Sequence, residues 1–300
     1  MRKNCVVIVC NNPFMDYAAF LVRQIKRYNT CQFEIVVASD VALSEKLLSL
    51  DVLPLKIEAT DFTQNLPTNH RLQHFAYWRL VAIEKLASEY DRILYLDTDI
   101  FCAAPGIDDL FEIPMKGKAL AAVLDVHQHY RPSRKVPEFE GAALPHARYF
   151  NSGVLLIDGK LWQSKAVFEK IRGIGKSSAH LLSRHDQSLL NLAFHNDWLE
   201  LSPVWNWQNN KKNLYISVHV GPRLIHYAGA SKLWTHDPVG KNRSHWLMFD
   251  HAPDRLNEEG KTDLARLHWK LLATSLWYRS ANLRYLQRFE HDFYTISQDN

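Results

Sequence analysis

Cysteine, long apolar runs and charge of one sign are all scarce in this sequence, and each shortage excludes a class of protein. The four cysteines among 300 residues form no CxxC pair and no Cys/His cluster with zinc spacing, which argues against a structural zinc site. No stretch reaches the roughly 20 apolar residues of a transmembrane helix. A formal net charge of +4 is too small to indicate a nucleic-acid partner, and we expect none.

The remaining composition is that of an ordinary globular protein, with 47% hydrophobic and 23% charged residues. Cys5, Cys10 and Cys102 lie in or beside predicted buried strands, where reduced cysteine behaves as a small hydrophobe. This placement favours a reducing compartment. Met1–Cys10 has two basic residues and a short apolar run, which fits a buried strand better than a signal peptide.

Short apolar runs alternate with segments of helical periodicity, which predicts an α/β fold with a mostly parallel, doubly wound sheet. The predicted strands are Val6–Cys10, Phe33–Ala38, Leu53–Ile57, Arg92–Leu96, Leu120–Leu124, Gly153–Ile157 and Arg223–Tyr227. The predicted helices are Tyr17–Tyr28, Ser44–Leu50, Arg71–Ser88 and His185–His195, and the predicted loop is Arg131–Pro145. Such sheets bind ligands beyond the carboxyl ends of their strands, where Asn11, Asn12 and Asp97 fall.

Two carboxylates separated by one residue follow the strand Arg92–Leu96. Alternation along an extended chain points Asp97 and Asp99 the same way, and two converging negative charges favour a cation between them. Mg²⁺ or Mn²⁺ suits oxygen ligands and could also bind a diphosphate. A strand end with two solvated acids is the alternative, and the pattern alone leaves both interpretations open.

Five segments, in order, resemble motifs of the family 8 retaining glycosyltransferases, the group that contains glycogenin and bacterial lipooligosaccharide galactosyltransferases. They are Tyr77–Leu80 (YWRL), Asp97–Asp99 (DTD), Phe150–Ile157 (FNSGVLLI), His185–Asn191 (HDQSLLN) and His226–Trp234 (HYAGASKLW). The resemblance covers about residues 5–235, and five ordered motifs are far more specific than one. It implies a single GT-A type nucleotide-sugar-binding domain over 1–260, with a mixed, mostly parallel twisted sheet, followed by a helical tail over 261–300.

The resemblance also implies roles for particular residues. His226 would join Asp97 and Asp99 as the third metal ligand, with Mn²⁺ as the ion and Mg²⁺ as the alternative. Gln187 would lie beside the anomeric carbon and Asp186 on donor-sugar hydroxyls, as the catalytic pair. The other residues implied in binding a UDP-sugar are Asn11, Asn12, Arg79, Thr98, Asn151, Ser152, Gly229 and Lys232, and Asp125 is a candidate contact to either sugar.

Most of these residues also have an ordinary structural explanation. A lone histidine, a turn glycine or a solvated lysine is common in any fold. Arg79 lies on a largely apolar helix, where a charge needs a partner that a structural salt bridge could supply. Asp186 opens a predicted helix, where an acid is favoured by the helix dipole.

The predicted activity is retaining transfer of a hexose, glucose or galactose, from a UDP-sugar to a saccharide or glycolipid in bacterial surface polysaccharide or lipopolysaccharide synthesis. Because the amide of Gln187 is a poor nucleophile, front-face attack is favoured, while the Asp186 carboxylate leaves double displacement open. The alternative functions are a metal-dependent nucleotidyltransferase and a non-catalytic nucleotide-sugar-binding protein. The first would want a Gly-rich basic loop after the first strand, and Cys10–Phe14 is not one.

The tail mixes basic and aromatic residues. From Leu264 to Phe289 its pattern is helical and resembles a membrane-surface anchor, while packing on the catalytic domain or on a second subunit is the alternative. We therefore expect a cytoplasmic protein that can sit peripherally on the inner face of the plasma membrane.

Overall fold

The computed structural model describes residues 3–68, 74–209, 212–213, 220–228, 273, 276–280 and 295–296. Its strands in this part are β1 (Asn4–Val9), β2 (Glu34–Ser39), β3 (Leu53–Lys56), β4 (Arg92–Leu96), β5 (Ile100–Cys102), β6 (Leu120–Leu124), β7 (Phe150–Asp158), β8 (Leu199–Leu201), β9 (Trp207–Gln208), β10 (Leu224–His226) and β11 (Thr295–Ile296). Its α-helices are α1 (Met15–Tyr28), α2 (Glu45–Leu48), α3 (Asp61–Gln64), α4 (Trp78–Leu86), α5 (Ile107–Phe111), α6 (Val126–Tyr130), α7 (Pro137–Gly141), α8 (Gly159–Ser164), α9 (Val167–Ser177) and α10 (Asp186–Ala193). Short 3-10 helices cover Asn12–Phe14, His74–Tyr77, Ala179–Leu181 and Pro203–Trp205.

The main sheet is mixed and mostly parallel, in the order β11-β8-β6-β7-β4-β1-β2-β3. β3, β2, β1 and β4 run parallel, β7 runs antiparallel between β4 and β6, and β8 again runs parallel to β6. The predicted α/β class and the mostly parallel sheet are therefore confirmed. β7 is longer than the predicted Gly153–Ile157, and its reversed direction was not predicted.

Alternate residues of the central strands face two separate cores. Along β1, Cys5 and Val7 pack into a core shared with α4 and α10, while Val6 and Ile8 pack into a core shared with α1. Both faces of the sheet are covered, which explains why the strand reads as a continuous apolar run. Burying a valine or isoleucine of this kind stabilises the fold by roughly 1.5–3 kcal/mol.

A second, three-stranded sheet in the order β5-β10-β9 lies beyond the end of β4. Three residues separate the end of β4 from the start of β5, so Asp97 and Asp99 lie in the turn between the two sheets. β10 pairs antiparallel with β5, and His226 lies opposite Ile100. This register brings His226 beside Asp99, although the two residues are far apart in the sequence.

β7 breaks its pairing with β6 near the same edge. Ala122 of β6 pairs with Leu155, but its neighbour Val123 pairs with Asn151, so Ser152, Gly153 and Val154 have no partner on β6. Such bulges often lie beside active sites and redirect backbone groups and side chains.

Two predicted segments need correction. Arg131–Pro145 is not entirely loop, because it contains α7, which buries Phe139. This helix begins at Pro137, and proline is favoured at the first position of a helix. The helix predicted from Arg71 has its α-helical part only over Trp78–Leu86, with a 3-10 turn before it; Arg71 itself lies outside the described residues.

The described parts of the tail contact the main sheet and α6. Residues 273, 276–277 and 279–280 are helical, and β11 pairs antiparallel with β8. Tyr278 packs on Tyr130 of α6, with ring centroids 5.6 Å apart, and the Lys212 ammonium lies 4.6 Å from the Tyr278 ring centre. The rest of the predicted tail helix lies outside the described residues. Among the helices that are described, none is long and apolar enough to cross a membrane.

Candidate active site

Asp97, Asp99 and His226 converge at the junction of the two sheets. One ligand atom from each side chain lies within 4.8 Å of the others. The Nε2 atom of His226 is 3.3 Å from Asp99 Oδ1 and 3.8 Å from Asp97 Oδ2. Asp99 and His226 are buried, and Asp97 is half-buried. Two carboxylates and one imidazole at this spacing suit a divalent cation such as Mn²⁺.

Gly153 makes room for the histidine. A Cβ atom at this position would lie 2.2 Å from His226 Cε1 and 3.0 Å from Asp97 Oδ2. Any side chain larger than hydrogen would therefore push the imidazole away from the carboxylates. The backbone of Gly153 also helps to hold the site, since its carbonyl accepts from Asp97 N at 2.9 Å.

Arg79 connects the candidate metal ligands to the predicted catalytic pair. Its guanidinium lies 2.9 Å from Asp97 Oδ1 and 3.2 Å from Asp186 Oδ2, and it also donates to Ser152 O at 2.9 Å. Burial lowers the pKa of Arg79, but Asp186 and Asp97 together outweigh it and leave the pKa above its usual range. Tyr95 OH also donates to Asp97 Oδ1, which leaves Oδ2 facing His226.

Asp186 and Gln187 open α10 and bond to the unpaired stretch of β7. Asp186 Oδ2 accepts from Ser152 Oγ at 3.0 Å. Burial raises the pKa of Asp186, and the nearby Arg79 opposes part of that effect. Gln187 Oε1 accepts from both Asn151 Nδ2 and Ser152 N at 3.2 Å. Because the bulge leaves Ser152 without a partner on β6, its backbone N–H bonds the Gln187 side chain and not a neighbouring strand.

Asp125 lies on the other side of Gln187. Its Oδ2 accepts from Gln187 Nε2 and from Arg184 NH1, both at 3.1 Å, and its Oδ1 accepts from His127 N at the start of α6. Sequence reasoning missed Arg184, because a charged residue just before a motif carries no signal of its own.

A strained turn precedes the predicted catalytic pair. His185 has φ 54° and ψ −122°, and Gln187 N donates to Arg184 O at 3.1 Å. These angles match the first central position of a type II′ turn, which glycine normally occupies. The sequence shows no sign of this strain, because histidine is not a residue expected at positive φ.

Two further buried amides belong to the site. Asn206 bonds to His226 and to Asn151, and Asn191 bonds to the backbone of Phe150 and to Gln187 O. The sequence pointed to Asn191 only as part of a motif, and Asn206 lies in no motif at all.

The remaining predicted residues are placed as follows. Asn11 and Asn12 follow β1, which pairs with β4, and so lie at the same sheet edge as Asp97. Thr98 lies between the two aspartates and is half-buried. Gly229 and Lys232 lie outside the described residues.

This combination of sheet, carboxylate pair and histidine defines a class. The architecture is that of a glycosyltransferase with a GT-A fold. The chain belongs to glycosyl transferase family 8, whose sequence model matches residues 5–237.

Curated relatives include two bacterial proteins named as glycosyltransferases. The glycosyltransferase GlyF of Streptococcus pneumoniae serotype 4 is 25% identical over 262 residues, which is 83% of this chain and 61% of GlyF. The lipopolysaccharide 1,2-glucosyltransferase of Escherichia coli K12 is 33% identical over 191 residues, which is 58% of this chain and 53% of that protein. The chain thus spans about half to three-fifths of the length of these two relatives.

A solved structure shares the fold. The galactosyltransferase LgtC, in complex with donor and acceptor sugar analogs, matches with a TM-score of 0.63 and 18% identity. The match covers 85% of this chain and 98% of that one. At this identity the likeness establishes the fold alone.

Proposed function

We propose that the protein is a retaining, metal-dependent hexosyltransferase that takes a sugar from a UDP-sugar and attaches it to a saccharide or glycolipid. One observation carries the proposal: Arg79 bridges Asp97 of the Asp97–Asp99–His226 triad and Asp186 of the catalytic pair, at 2.9 Å and 3.2 Å. A leaving diphosphate held at the triad would therefore lie next to the residues assigned to the donor sugar.

Glucose or galactose is the hexose best supported by the relatives. The E. coli relative is named a lipopolysaccharide 1,2-glucosyltransferase, and LgtC is described as a galactosyltransferase. We assign this protein to bacterial surface polysaccharide or lipopolysaccharide synthesis on the same basis.

Asp97, Asp99 and His226 would hold the metal, because their donor atoms converge and Gly153 leaves the space for the imidazole. A divalent cation bound there supplies electrostatic stabilisation of the negative charge on the leaving diphosphate. The imidazole nitrogen favours Mn²⁺ over Mg²⁺, since nitrogen ligands bind more strongly along the divalent series. Lys232 would add a positive charge for the same diphosphate.

The contacts of Gln187 support front-face attack. Its Oε1 already accepts two N–H groups and its Nε2 donates to Asp125, so the amide is fixed and is a poor nucleophile. The bond between the anomeric carbon and phosphate oxygen breaks as the acceptor oxygen bonds on the same face. The acceptor proton then goes to the leaving phosphate oxygen.

Asp186 orients the donor sugar in this scheme. Ser152 and Arg79 both bond its Oδ2, which lowers its reactivity as a nucleophile and argues against double displacement. We assign Asn151 and Ser152 to the donor sugar, and Asp125 to the boundary between donor and acceptor. Asn11, Asn12, Thr98 and Gly229 would contact the nucleotide.

The tail offers a surface for a membrane-bound acceptor. Trp277 is 84% exposed and Leu276 is 46% exposed, while the adjacent Tyr278 packs inward on Tyr130. Exposed aromatic and apolar residues on a basic helix are typical of interfacial anchors. We therefore propose a cytoplasmic protein that binds the inner face of the plasma membrane through this turn.

Release of UDP from a panel of UDP-sugars, with and without Mn²⁺, tests the proposal. We expect hydrolysis of UDP-glucose or UDP-galactose with Mn²⁺, and loss of at least about 100-fold in Asp99→Asn, in line with the loss of electrostatic catalysis. Retention of the anomeric configuration in the transfer product would be read by NMR. A folded Asp99→Asn variant with full activity would refute the metal assignment.

A further inference from the structure

A continuous chain of hydrogen bonds runs behind the imidazole of His226. Its Nδ1 lies 3.0 Å from Asn206 Oδ1, and Asn206 Nδ2 donates to Asn151 Oδ1 at 2.9 Å. Asn151 Oδ1 also accepts from the backbone N–H of Gly153 at 3.0 Å. Asn206 is 1% exposed, so water cannot replace either of its bonds.

Backbone N–H groups fix which atom donates and which atom accepts in each of these hydrogen bonds. Because the Gly153 N–H can only donate, the Asn151 atom that it meets must be the oxygen. Ser152 N–H likewise fixes the oxygen of Gln187, to which Asn151 Nδ2 donates. The amide of Asn206 must then present nitrogen to Asn151 and oxygen to His226.

The tautomer of His226 follows from this order. Its Nδ1 carries the hydrogen, which it donates to Asn206 Oδ1. Its Nε2 therefore keeps a lone pair directed at Asp99 Oδ1 and Asp97 Oδ2, at 3.3 and 3.8 Å. A histidine that ligates a metal commonly donates its other N–H to such a partner, which fixes the ring and raises its basicity.

We infer that Asn206 is a positioning residue with two roles: its oxygen orients His226 for the metal, and its NH₂ group holds Asn151 and through it Gln187. This inference rests on the proposed metal-dependent transfer. The local fold holds Asn206 next to His226. Asn206 is the C-cap residue of the 3-10 helix Pro203–Trp205, and it directly precedes β9, which pairs with β10, the strand of His226.

The two roles can be separated by substitution. Asn206→Asp keeps an acceptor for His226 Nδ1–H but replaces the donor to Asn151 Oδ1 with a second oxygen. Asn206→Leu removes both groups at similar volume. Gln128→Leu is the matched control, since Gln128 is a buried amide that bonds to Ala147 O and Tyr149 N, away from the triad.

Electron paramagnetic resonance measures the binding of Mn²⁺ in the absence and in the presence of UDP. The melting temperature and the turnover of UDP-sugar hydrolysis are measured on the same variants. We expect Asn206→Leu to weaken Mn²⁺ binding by about 10–100-fold. Asn206→Asp should retain wild-type Mn²⁺ affinity within about threefold. It should lose turnover, because the new oxygen would repel Asn151 Oδ1 and displace the amide that donates to Gln187. Gln128→Leu should lower the melting temperature without a specific loss of Mn²⁺ binding.

The outcomes separate this inference from the proposed function. Wild-type Mn²⁺ affinity in a folded Asn206→Leu protein, or equal losses in Asn206→Asp and Asn206→Leu, would overturn the inference alone. Similar losses of Mn²⁺ binding in Gln128→Leu would also overturn it, because they would reflect a loosened fold. Absence of Mn²⁺ binding by the wild-type protein would overturn the metal site and the inference together.

Discussion

At the scale of single residues, three positions constrain the geometry of the candidate site. Gly153 has no room for a Cβ, His185 adopts angles that favour glycine, and Asp186 is a buried carboxylate beside a buried arginine. Each of these features has a cost to folding, and such costs are typical of functional sites.

Gly153→Ala should impair activity more than stability. The added methyl group would overlap the His226 ring, so the imidazole must move away from Asp97 and Asp99, and Mn²⁺-dependent turnover should fall at least about tenfold. Overpacking of this kind costs about 1–3 kcal/mol of stability. Turnover and urea unfolding measure the two effects. Gly173→Ala is the control, since nothing lies within 4 Å of its Cβ position, and normal turnover in Gly153→Ala would contradict the prediction.

His185→Gly should leave the protein about 1 kcal/mol more stable than His185→Ala does. Both variants lose the buried imidazole and its contact with Tyr77. Only glycine also relieves the strained backbone, which is worth roughly 1–3 kcal/mol, while its added freedom in the unfolded chain offsets roughly 0.5–1 kcal/mol of that gain. Urea unfolding of both variants would measure the difference. At His180, which is exposed and has no positive φ, the glycine variant should instead be less stable than the alanine variant. The same order at His185 would show that the turn is not strained.

Asp186→Asn should change the pH dependence of stability. Burial raises the folded-state pKa of Asp186 above its ordinary 3.8, so the folded protein holds this proton to higher pH than the unfolded chain does. The contribution of Asp186 to the free energy of unfolding therefore falls as pH rises above about 3.8. Relative to wild type, the variant should gain stability between about pH 4 and pH 7. Urea unfolding across this range tests the sign, and a constant or opposite difference would contradict it.

At the scale of secondary-structure elements, the interruption of pairing between β6 and β7 positions several groups of the candidate site. The shift between Ala122 and Val123 leaves Ser152 and Gly153 of β7 unpaired with β6, and their N–H groups bond Gln187 and Asn151 instead. The second sheet has a similar effect, because pairing of β10 with β5 carries His226 to the end of β4.

The described turn of the tail should have two separable faces. Trp277→Ala should weaken binding to anionic vesicles without changing the melting temperature, because its side chain is 84% exposed. Tyr278→Ala should lower stability by about 0.5–1.5 kcal/mol through loss of its contact with Tyr130. Vesicle co-sedimentation and thermal unfolding measure the two effects. Unchanged vesicle binding in Trp277→Ala would rule out this turn as the membrane contact.

At the scale of the whole molecule, the site lies where the large sheet meets the small one. Asn11 and Asp97 follow β1 and β4 at one edge of the large sheet, and His226 lies on β10 of the small one. Asp186 and Gln187 lie at the start of α10. The charged cluster is tolerated because the buried Arg79 lies between Asp97 and Asp186, whose carboxylates compensate its charge. Buried charges are tolerated only when they are paired in this way.

The sequence by itself determined the α/β class, most strand positions and the family, because apolar runs and ordered motifs are local patterns. It also pointed to Asp97 and Asp99 as candidate metal ligands, since their spacing after a buried strand is visible in one segment. Only the tertiary structure decided the direction of β7, the turn at His185 and the contacts of Arg184 and Asn206. These depend on partners distant in the chain, and hydrogen bonds between such residues leave no periodic signal in the sequence.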